Sequence, residues 1–308
     1  FKQKTAYEML RSLVGSEMCI RDRQRTSCLL GMKKIAPLFL LLTLILTSCG
    51  KQNTHEKAGY NMLLMGHSFF KPYADRLEEV VSESGIVNHN QTRIFRGGAQ
   101  GSPDSLWNWT GSENTLIKKT LDNGNVDIFG MTSGPLQENP TDGYIEWISY
   151  ALQNNPDIKV FISIGQPDFP NDWEQTAQDY GFSSAHVGYE YHVNYRIHKT
   201  LIDSLRAKFP STNIFSIPTG KAGLSLWQMQ KDGLLLDSIS YIGPFESSLF
   251  TDEKGHQGEM TAYTGALMWL KSLYQVDLSA NSFVTGFNTD LHSVAEAMIN
   301  SHDPDYNQ

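Results

Sequence analysis

One stretch of the chain organises the rest: residues 61–70 read Asn-Met-Leu-Leu-Met-Gly-His-Ser-Phe-Phe. The apolar run of residues 62–65 is short and follows polar residues, which is typical of a strand buried in a parallel sheet. Gly66 ends that run, and Ser68 follows at the point where a turn is expected. Ser68 is therefore a candidate nucleophile. Glycine and serine are also ordinary turn residues, so this stretch alone leaves a plain turn equally open.

A helix is predicted directly after this turn. Residues 71–84 place Tyr73, Leu77 and Val80 at spacings of three and four, which is typical of an amphipathic helix. In open α/β sheets, ligands bind at the carboxyl ends of strands, and a helix that begins there directs its free N–H groups toward a developing anion. The predicted geometry therefore places Ser68 where negative charge is stabilised.

A second polar block lies near the other end of the chain. Residues 251–258 read Thr-Asp-Glu-Lys-Gly-His-Gln-Gly and precede an apolar helix predicted over residues 260–274. A carboxylate that is followed within one turn by a histidine can hold the imidazole in the tautomer that a general base needs. The block thus supplies the two groups that would activate Ser68.

Together the two blocks resemble the SGNH (GDSL-like) hydrolases, which take their triad from an N-terminal Gly-x-Ser block and a C-terminal Asp-x-x-His block. The resemblance covers residues 60–274 and rests on the order of the motifs, their separation and the α/β pattern between them. It implies that Ser68 is the nucleophile and His256 the base. Glu253 stands at the family's three-residue offset from His256, but Asp252 is preferred as the acid. A bulge at a glycine, residue 255, would absorb the extra residue and keep the family's shorter side chain, and Glu253 is the alternative.

Two further assignments follow from the resemblance. His67 replaces the Asp of the family's Gly-Asp-Ser motif, a position that is not itself catalytic, so His67 is predicted to be a turn residue, with a second base as the alternative. The strand predicted over residues 92–96 ends in a glycine-rich turn, which allows a ligand to approach the backbone. In the family a glycine of this block gives an N–H to the oxyanion hole beside that of the nucleophile. This role maps to Gly98, with Gly97 as the alternative, and a loop that only needs positive φ stays open.

The family's third oxyanion donor is missing. Residues 130–133, at the end of the strand predicted over residues 126–132, read Gly-Met-Thr-Ser where the family has Gly-x-Asn-Asp. Thr132 offers a hydroxyl from the position of the Asn, and Gln166 offers a carboxamide at the end of the next predicted strand. The loss of one oxyanion donor typically lowers the rate about 100- to 1,000-fold, so weakened activity is an open alternative.

Strands and helices alternate along the chain. The alternation predicts a three-layer, doubly wound α/β sandwich with a mostly parallel five-stranded sheet of flavodoxin-like order, which the resemblance also implies. We assign residues 60–276 to this hydrolase-like domain and residues 277–308 to a C-terminal helix and tail. The other predicted elements are strands over residues 158–164 (a central strand) and 213–217, and helices over residues 115–121, 144–154, 189–208, 224–230 and 281–300.

Three other segments carry separate predictions. Residues 167–188 are rich in aromatic and acidic side chains without a clear period, which indicates a long binding loop or lid. His186, His192 and His198 recur every six residues, a shift of ~240° on a helix, so they share no face and we predict no metal site. The last residues are polar and are expected to fray.

The first part of the chain is predicted to lie outside the folded domain. Residues 1–31 lack both an initiator Met and any period, and they resemble translated adapter sequence. Residues 32–48 read as a lipoprotein signal peptide, with a positive start and an apolar core too short to span a membrane. Residues 46–49, Leu-Thr-Ser-Cys, resemble a bacterial lipobox, so Cys49 is the predicted lipidation site and residues 49–59 a tether. A plain secretory signal with a chance cysteine is the alternative.

Composition limits the possible partners. The chain has a formal net charge of −8, and residues 1–48 hold eight Lys and Arg against three Asp and Glu, so the remainder is more acidic still. Nucleic acid is therefore not an expected partner. Cys19 and Cys28 precede Cys49, so no disulfide is expected in the exported part.

These observations predict a serine esterase anchored in the bacterial cell envelope by its lipid, on the periplasmic face or at the cell surface. The expected substrate is an acyl or acetyl ester, with a carbohydrate ester among the candidates, and the expected state is a monomer without a cofactor. Two alternatives stay open. One is an acyltransferase or lipid deacylase that uses the same serine, and the other is a catalytically impaired binding lipoprotein of the same fold.

Overall fold

A five-stranded parallel sheet carries the fold of the computed structural model, which describes residues 57–134 and 139–308. The strands are β1 (Asn61–Gly66), β2 (Asn90–Phe95), β3 (Ile128–Thr132), β4 (Lys159–Ser163) and β5 (Ile214–Ile217). They pair in the order β2-β1-β3-β4-β5, and every pair is parallel. This is the flavodoxin-like order, so the predicted doubly wound α/β class is confirmed.

Helices connect the strands and continue after the last one. They are α1 (Lys71–Ser82), α2 (Pro103–Asn108), α3 (Ser112–Asp122), α4 (Tyr144–Ala151), α5 (Trp173–Asp179), α6 (Ala185–Tyr191), α7 (Asp203–Lys208), α8 (Lys221–Lys231), α9 (Glu259–Tyr274) and α10 (Leu291–Asn300). Right-handed crossovers place α1 on one face of the sheet and the helices between β2 and β5 on the other. On the first face α9 packs against α1, α8 and α10, and on the second α4 packs against α2, α3 and α7.

Aromatic side chains fill the layer between the sheet and α9. Trp269 of α9 contacts the rings of Phe70 and Phe161, at centroid distances of 4.9 and 5.1 Å. Gly130 of β3 makes room for this cluster, because a Cβ there would meet the ring of Phe161 at 2.4 Å. The predicted strand over residues 158–164 forms as β4 and has a strand on each side, although β3 occupies the middle of the sheet.

The predicted loop over residues 167–188 is instead largely helical. It contains a short 3₁₀ turn (Pro170–Asp172), all of α5 and the start of α6. Helices of seven residues are too short to show a period in the sequence, which is why the pattern indicated a loop. Ser184 caps α6 by accepting a hydrogen bond from the N–H of Val187 (3.3 Å).

The helix predicted over residues 189–208 begins earlier, at Ala185, and changes its winding. Residues His192–Ile202 have π-helical hydrogen bonds, and the N–H of Asp203 then donates to the carbonyl of His198, five residues back. Among the described residues, no group of three or more His, Cys, Asp or Glu side chains is placed to hold a metal ion.

The C-terminal segment differs from its prediction in two ways. The helix predicted over residues 281–300 begins only at Leu291, because the side chain of Asp290 caps it by accepting from the N–H of Ser293 (3.0 Å). The tail does not fray, since Tyr306 is buried and its ring stacks on His198 at 3.7 Å.

The predicted signal peptide and Cys49 lie outside the described residues, as do residues 1–31. The end of the predicted tether is part of the fold, because Lys57–Ala58 pairs in parallel with Ile86–Val87. A second small parallel pair joins Ser240–Ile242 to Ser248–Phe250. In the described ranges, no helix has the length and apolar character needed to cross a membrane.

Candidate active site

Ser68 lies two residues beyond the end of β1, in the turn that leads into α1. The carbonyl of His67 accepts from the N–H groups of Phe70 and Lys71 (3.0 and 3.1 Å), which closes this turn. Gly66 is required just before it, because a Cβ there would meet the ring of Phe70 at 2.8 Å. Strands β1 and β3 are neighbours at the point where the strand order reverses, and ligands bind at that crevice in such sheets.

Ser68, His256 and Asp252 form a continuous hydrogen-bonded chain. Nε2 of His256 lies 2.7 Å from Oγ of Ser68, and Nδ1 lies 2.6 Å from Oδ2 of Asp252. Oδ1 of Asp252 also accepts from the N–H groups of Gly255 and His256, at 3.0 and 3.1 Å. The structure thus joins two blocks that are separated by 188 residues in the sequence.

The ionisation state of Asp252 determines which atoms of this hydrogen-bonded chain carry protons. Partial burial raises the pKa of Asp252, but the hydrogen bonds from His256 and Gly255 outweigh burial and hold the pKa below its usual value. An ionised Asp252 can only accept, so Nδ1 of His256 carries the proton. Nε2 then presents its lone pair to the hydroxyl of Ser68, which is the arrangement in which a histidine can remove the serine proton.

The backbone at Gly255 determines which acid meets His256. Gly255 has a φ of +96°, a conformation that side-chain-bearing residues rarely adopt. The resulting bulge brings Asp252 to His256, whereas Glu253 is exposed and makes no hydrogen bond or ion pair with the described residues. Of the two carboxylates, Asp252 is the one in contact with the ring of His256.

Two contacts hold the Gly255 backbone in this position. Its carbonyl accepts from Nε2 of Gln166 (2.8 Å), and Pro170 packs against it so closely that a Cβ on residue 255 would meet Cδ of the proline at 2.8 Å. Gln166 is buried, and its Oε1 accepts from the hydroxyl of Tyr73 (3.0 Å). The carboxamide of Gln166 therefore fixes the backbone of residues 252–256, which we call the histidine loop.

Phe69 and Gln257 support the imidazole from the other side. The ring of Phe69 stacks on His256 with centroids 4.8 Å apart and an interplanar angle of 19°. Nε2 of Gln257 donates to the carbonyl of Phe69 (3.1 Å). Neither residue was among the site residues predicted from the sequence, although each directly follows one of them in the chain, and that adjacency was the available signal.

His67 is a buried neutral side chain in this turn. Burial lowers its pKa to about 4, so the ring is uncharged at neutral pH. The N–H of Phe69 donates to Nδ1 (3.2 Å), and so the proton lies on Nε2, which is 3.0 Å from Oγ1 of Thr132. His67 thus ties the turn to the end of β3, as the prediction of a turn residue requires.

The hydroxyl of Thr132 is already committed by this contact. It accepts from His67 and donates its single proton to the carbonyl of Ser133 (3.2 Å). Gln166 is likewise engaged with Gly255 and Tyr73. The hydroxyl of Thr132 therefore has no free donor, whereas Gln166 keeps a second amide N–H; its carboxamide is buried, held at Gly255, and makes no hydrogen bond with Ser68.

The glycines of the turn after β2 differ in backbone conformation and in packing. Gly98 has a φ of +55°, and the space where its Cβ would be is open, whereas Gly97 has an ordinary φ of −70°. Gly101 packs against β1, since a Cβ there would meet the carbonyl oxygen of Gly66 at 2.4 Å. The N–H groups of Ser68 and Gly98 make no hydrogen bond with the described residues. The N–H of Gly97 is likewise without a partner among the described residues, so both glycines remain candidates for an oxyanion donor.

Comparisons with known proteins add little to this geometry. No family model matches the chain, and no curated protein matches it. A solved structure that it resembles is the periplasmic domain of a lipopolysaccharide acetyltransferase from Salmonella serovar Paratyphi A. The two chains are 10% identical, the match covers 71% of this chain and 84% of that one, and the TM-score is 0.41. At this TM-score the likeness carries no argument, so the site is interpreted from its own residues.

Proposed function

We propose that the protein is a serine hydrolase of carboxylic esters, in which Ser68 is the nucleophile, His256 the general base and Asp252 the orienting acid. The observation that supports this proposal is the pair of short contacts on the two ring nitrogens of His256, 2.7 Å to Oγ of Ser68 and 2.6 Å to Asp252. An impaired binding protein would need neither contact, and we would then expect His256 to be turned away or the acid to be out of reach.

In the first step, Oγ of Ser68 attacks the acyl carbonyl while Nε2 of His256 takes the hydroxyl proton. The bond from the carbonyl carbon to the leaving alcohol then breaks, and His256 donates that proton to the alcohol oxygen. In the second step, water gives a proton to His256 and attacks the acyl group. The bond to Oγ breaks, the acid leaves and Ser68 regains its proton.

The N–H groups of Ser68 and Gly98 are the proposed oxyanion donors. Both are backbone groups and need no side-chain reorganisation during the reaction. Thr132 and Gln166, the predicted third donors, are tied to Ser133 and to Gly255. We therefore expect catalysis with two donors and a rate about 100-fold or more below that of an otherwise equal site with three.

The cellular setting belongs to the same proposal. We place the enzyme in the cell envelope as a monomer, anchored through a lipid on Cys49, with a small-molecule or carbohydrate ester as its substrate and without a nucleic-acid partner. The support is the sequence pattern of residues 32–49 and the acidic composition. Incorporation of a labelled fatty acid that is lost in Cys49→Ser tests the anchor.

A fluorophosphonate probe tests the catalytic part of the proposal without knowledge of the substrate. The probe reacts with an activated serine and needs only a partly formed oxyanion hole. We expect labelling at Ser68 in the wild type and none in Ser68→Ala, while Ser133→Ala, which removes a neighbouring serine, should keep the label. A folded wild type that stays unlabelled would favour a binding protein.

A further inference from the structure

Phe169 is an exposed aromatic residue beside the histidine loop. Its side chain is 52% exposed, and its backbone has a φ of +58°. Positive φ is rare and strained for a bulky side chain, so a glycine would adopt this backbone conformation at a lower free-energy cost.

The strained backbone of Phe169 is attached to the loop that carries the base. Its N–H donates to the carbonyl of Lys254 (2.9 Å), and Pro170 next to it packs against Gly255. The segment from Phe169 to Pro170 therefore lies against the two residues that precede His256. Strain that neighbouring structure maintains in this way is typical of ligand-binding positions.

Two charged residues adjoin the backbone of Phe169: Asp168 precedes it in the chain, and the carbonyl of Lys254 accepts from its N–H. Asp168 and Lys254 form an ion pair at 3.6 Å, with side chains 45% and 39% exposed. Nζ of Lys254 also lies 5.8 Å from the centroid of the Phe69 ring, which stacks on His256. We call Asp168, Phe169 and Lys254 the rim. It combines one apolar ring with a hydrogen-bond acceptor, Asp168, and a hydrogen-bond donor, Lys254.

The mechanism assigns this rim to one half of the substrate. Nε2 of His256 returns a proton to the leaving oxygen, so the alcohol part of the ester must lie on the histidine side of Ser68. The acyl oxygen lies on the other side, at the N–H groups of Ser68 and Gly98. Phe169 is connected to the histidine loop and therefore borders the alcohol part.

We propose that Phe169 binds the alcohol part of the ester and that this alcohol is a polyhydroxylated ring, as in a sugar. This inference rests on the proposed esterase activity. A sugar ring has a face of C–H groups that packs on an aromatic ring, and its hydroxyls pair with groups such as Asp168 and Lys254. A long alkyl chain fits this rim poorly, because it would bury both charges without offering them a hydrogen bond.

The test compares two acetate esters, methyl acetate and an O-acetylated methyl glucoside, in the wild type and in Phe169→Ala. We expect Phe169→Ala to lower kcat/KM for the sugar acetate about tenfold, mainly through KM, and to leave methyl acetate within twofold. Tyr180→Ala is the matched control: Tyr180 is an exposed aromatic residue (77%) at the end of α5 that makes no hydrogen bond or ring contact with the described residues of the histidine loop, and its removal should leave both esters unchanged.

Phe169→Gly separates binding from folding. It removes the ring and also relieves the left-handed strain, so we expect a melting temperature above that of Phe169→Ala with the same tenfold loss on the sugar acetate. Equal losses on both esters, or no loss on the sugar acetate, would overturn the inference while the esterase proposal stands. A wild type that hydrolyses neither ester and takes no fluorophosphonate label would overturn the esterase proposal itself.

Discussion

Asp252, Gly255 and His256 show how single residues set the chemistry of the site. The carboxylate of Asp252 contacts the imidazole across a turn in which Gly255 has a φ of +96°, while Glu253 is exposed. Only one of the two neighbouring carboxylates contacts His256, although the sequence spacing would allow either to be the acid. Their substitution therefore tests the assigned acid directly.

We expect Asp252→Asn to lower kcat on short-chain esters about 10³- to 10⁴-fold, because an amide no longer favours the proton on Nδ1 of His256. Glu253→Gln, its matched control, should stay within twofold of the wild type. Steady-state kinetics at neutral pH measure both variants, with circular dichroism to show that they are folded. A larger loss in Glu253→Gln than in Asp252→Asn would show that the acid is misassigned.

The residues that the sequence could and could not predict differ in a physical way. Ser68, His256 and Asp252 stand in short local motifs whose spacing reflects their joint chemistry, so their proximity was predictable. The hydrogen bonds that Thr132 and Gln166 make to His67 and Gly255 could not be predicted, because only the folded chain brings these partners together. A side chain's hydrogen-bond partners depend on tertiary structure that residue type alone does not reveal.

At the scale of elements, the C-terminal tail is held to β5 by two buried histidines. Nε2 of His198 lies 3.0 Å from Oγ of Ser216, and Nε2 of His302 lies 3.2 Å from the same oxygen. Burial lowers the pKa of His198 to about 4 and that of His302 to about 3, so both are neutral in the folded protein at neutral pH. The negative charge of nearby Asp303 partly offsets this lowering of both pKa values, whereas the positive charge of Lys221 adds to it.

This arrangement predicts loss of stability in mild acid. The unfolded chain protonates its histidines near pH 6.5 and the folded chain only near 4 or below, so the unfolded state binds more protons in between. Stability is therefore full above about pH 6.5 and falls as the pH decreases, by up to about 1.4 kcal/mol per pH unit for each histidine. Urea unfolding at pH 7.5 and 5 should show a smaller difference for His302→Gln than for the wild type. Equal differences would contradict a buried neutral His302.

Element prediction succeeded where the local sequence pattern specifies the structure. All five strands of the sheet were predicted, and four of them are short, buried apolar runs between polar turns; β2 is an edge strand with only Ile94 buried. Helix α5 and the start of α6 were missed, since short helical segments with many polar residues show no period. The start of α10 was also missed because a local cap at Asp290 sets it.

At the scale of the whole molecule, the packing of α9 on α1 brings the two halves of the site together. Ser68 precedes α1 and His256 precedes α9, and these two helices pack against each other on one face of the sheet. Arg76, in the middle of α1, and Glu259, the first residue of α9, form an ion pair at 2.9 Å. The sheet order and this helix pair together convert two distant motifs into one hydrogen-bonded chain.

The central claim is that Ser68 and His256 act as one catalytic unit, and its most direct test is the hydrolysis of short p-nitrophenyl esters by Ser68→Ala, His256→Ala and the double variant. Residues that act in one step lose activity without additivity. We predict that each single variant lowers kcat by several orders of magnitude and that the double variant is no worse than either. Hydrolysis that survives in folded Ser68→Ala, or losses that multiply in the double variant, would contradict the account.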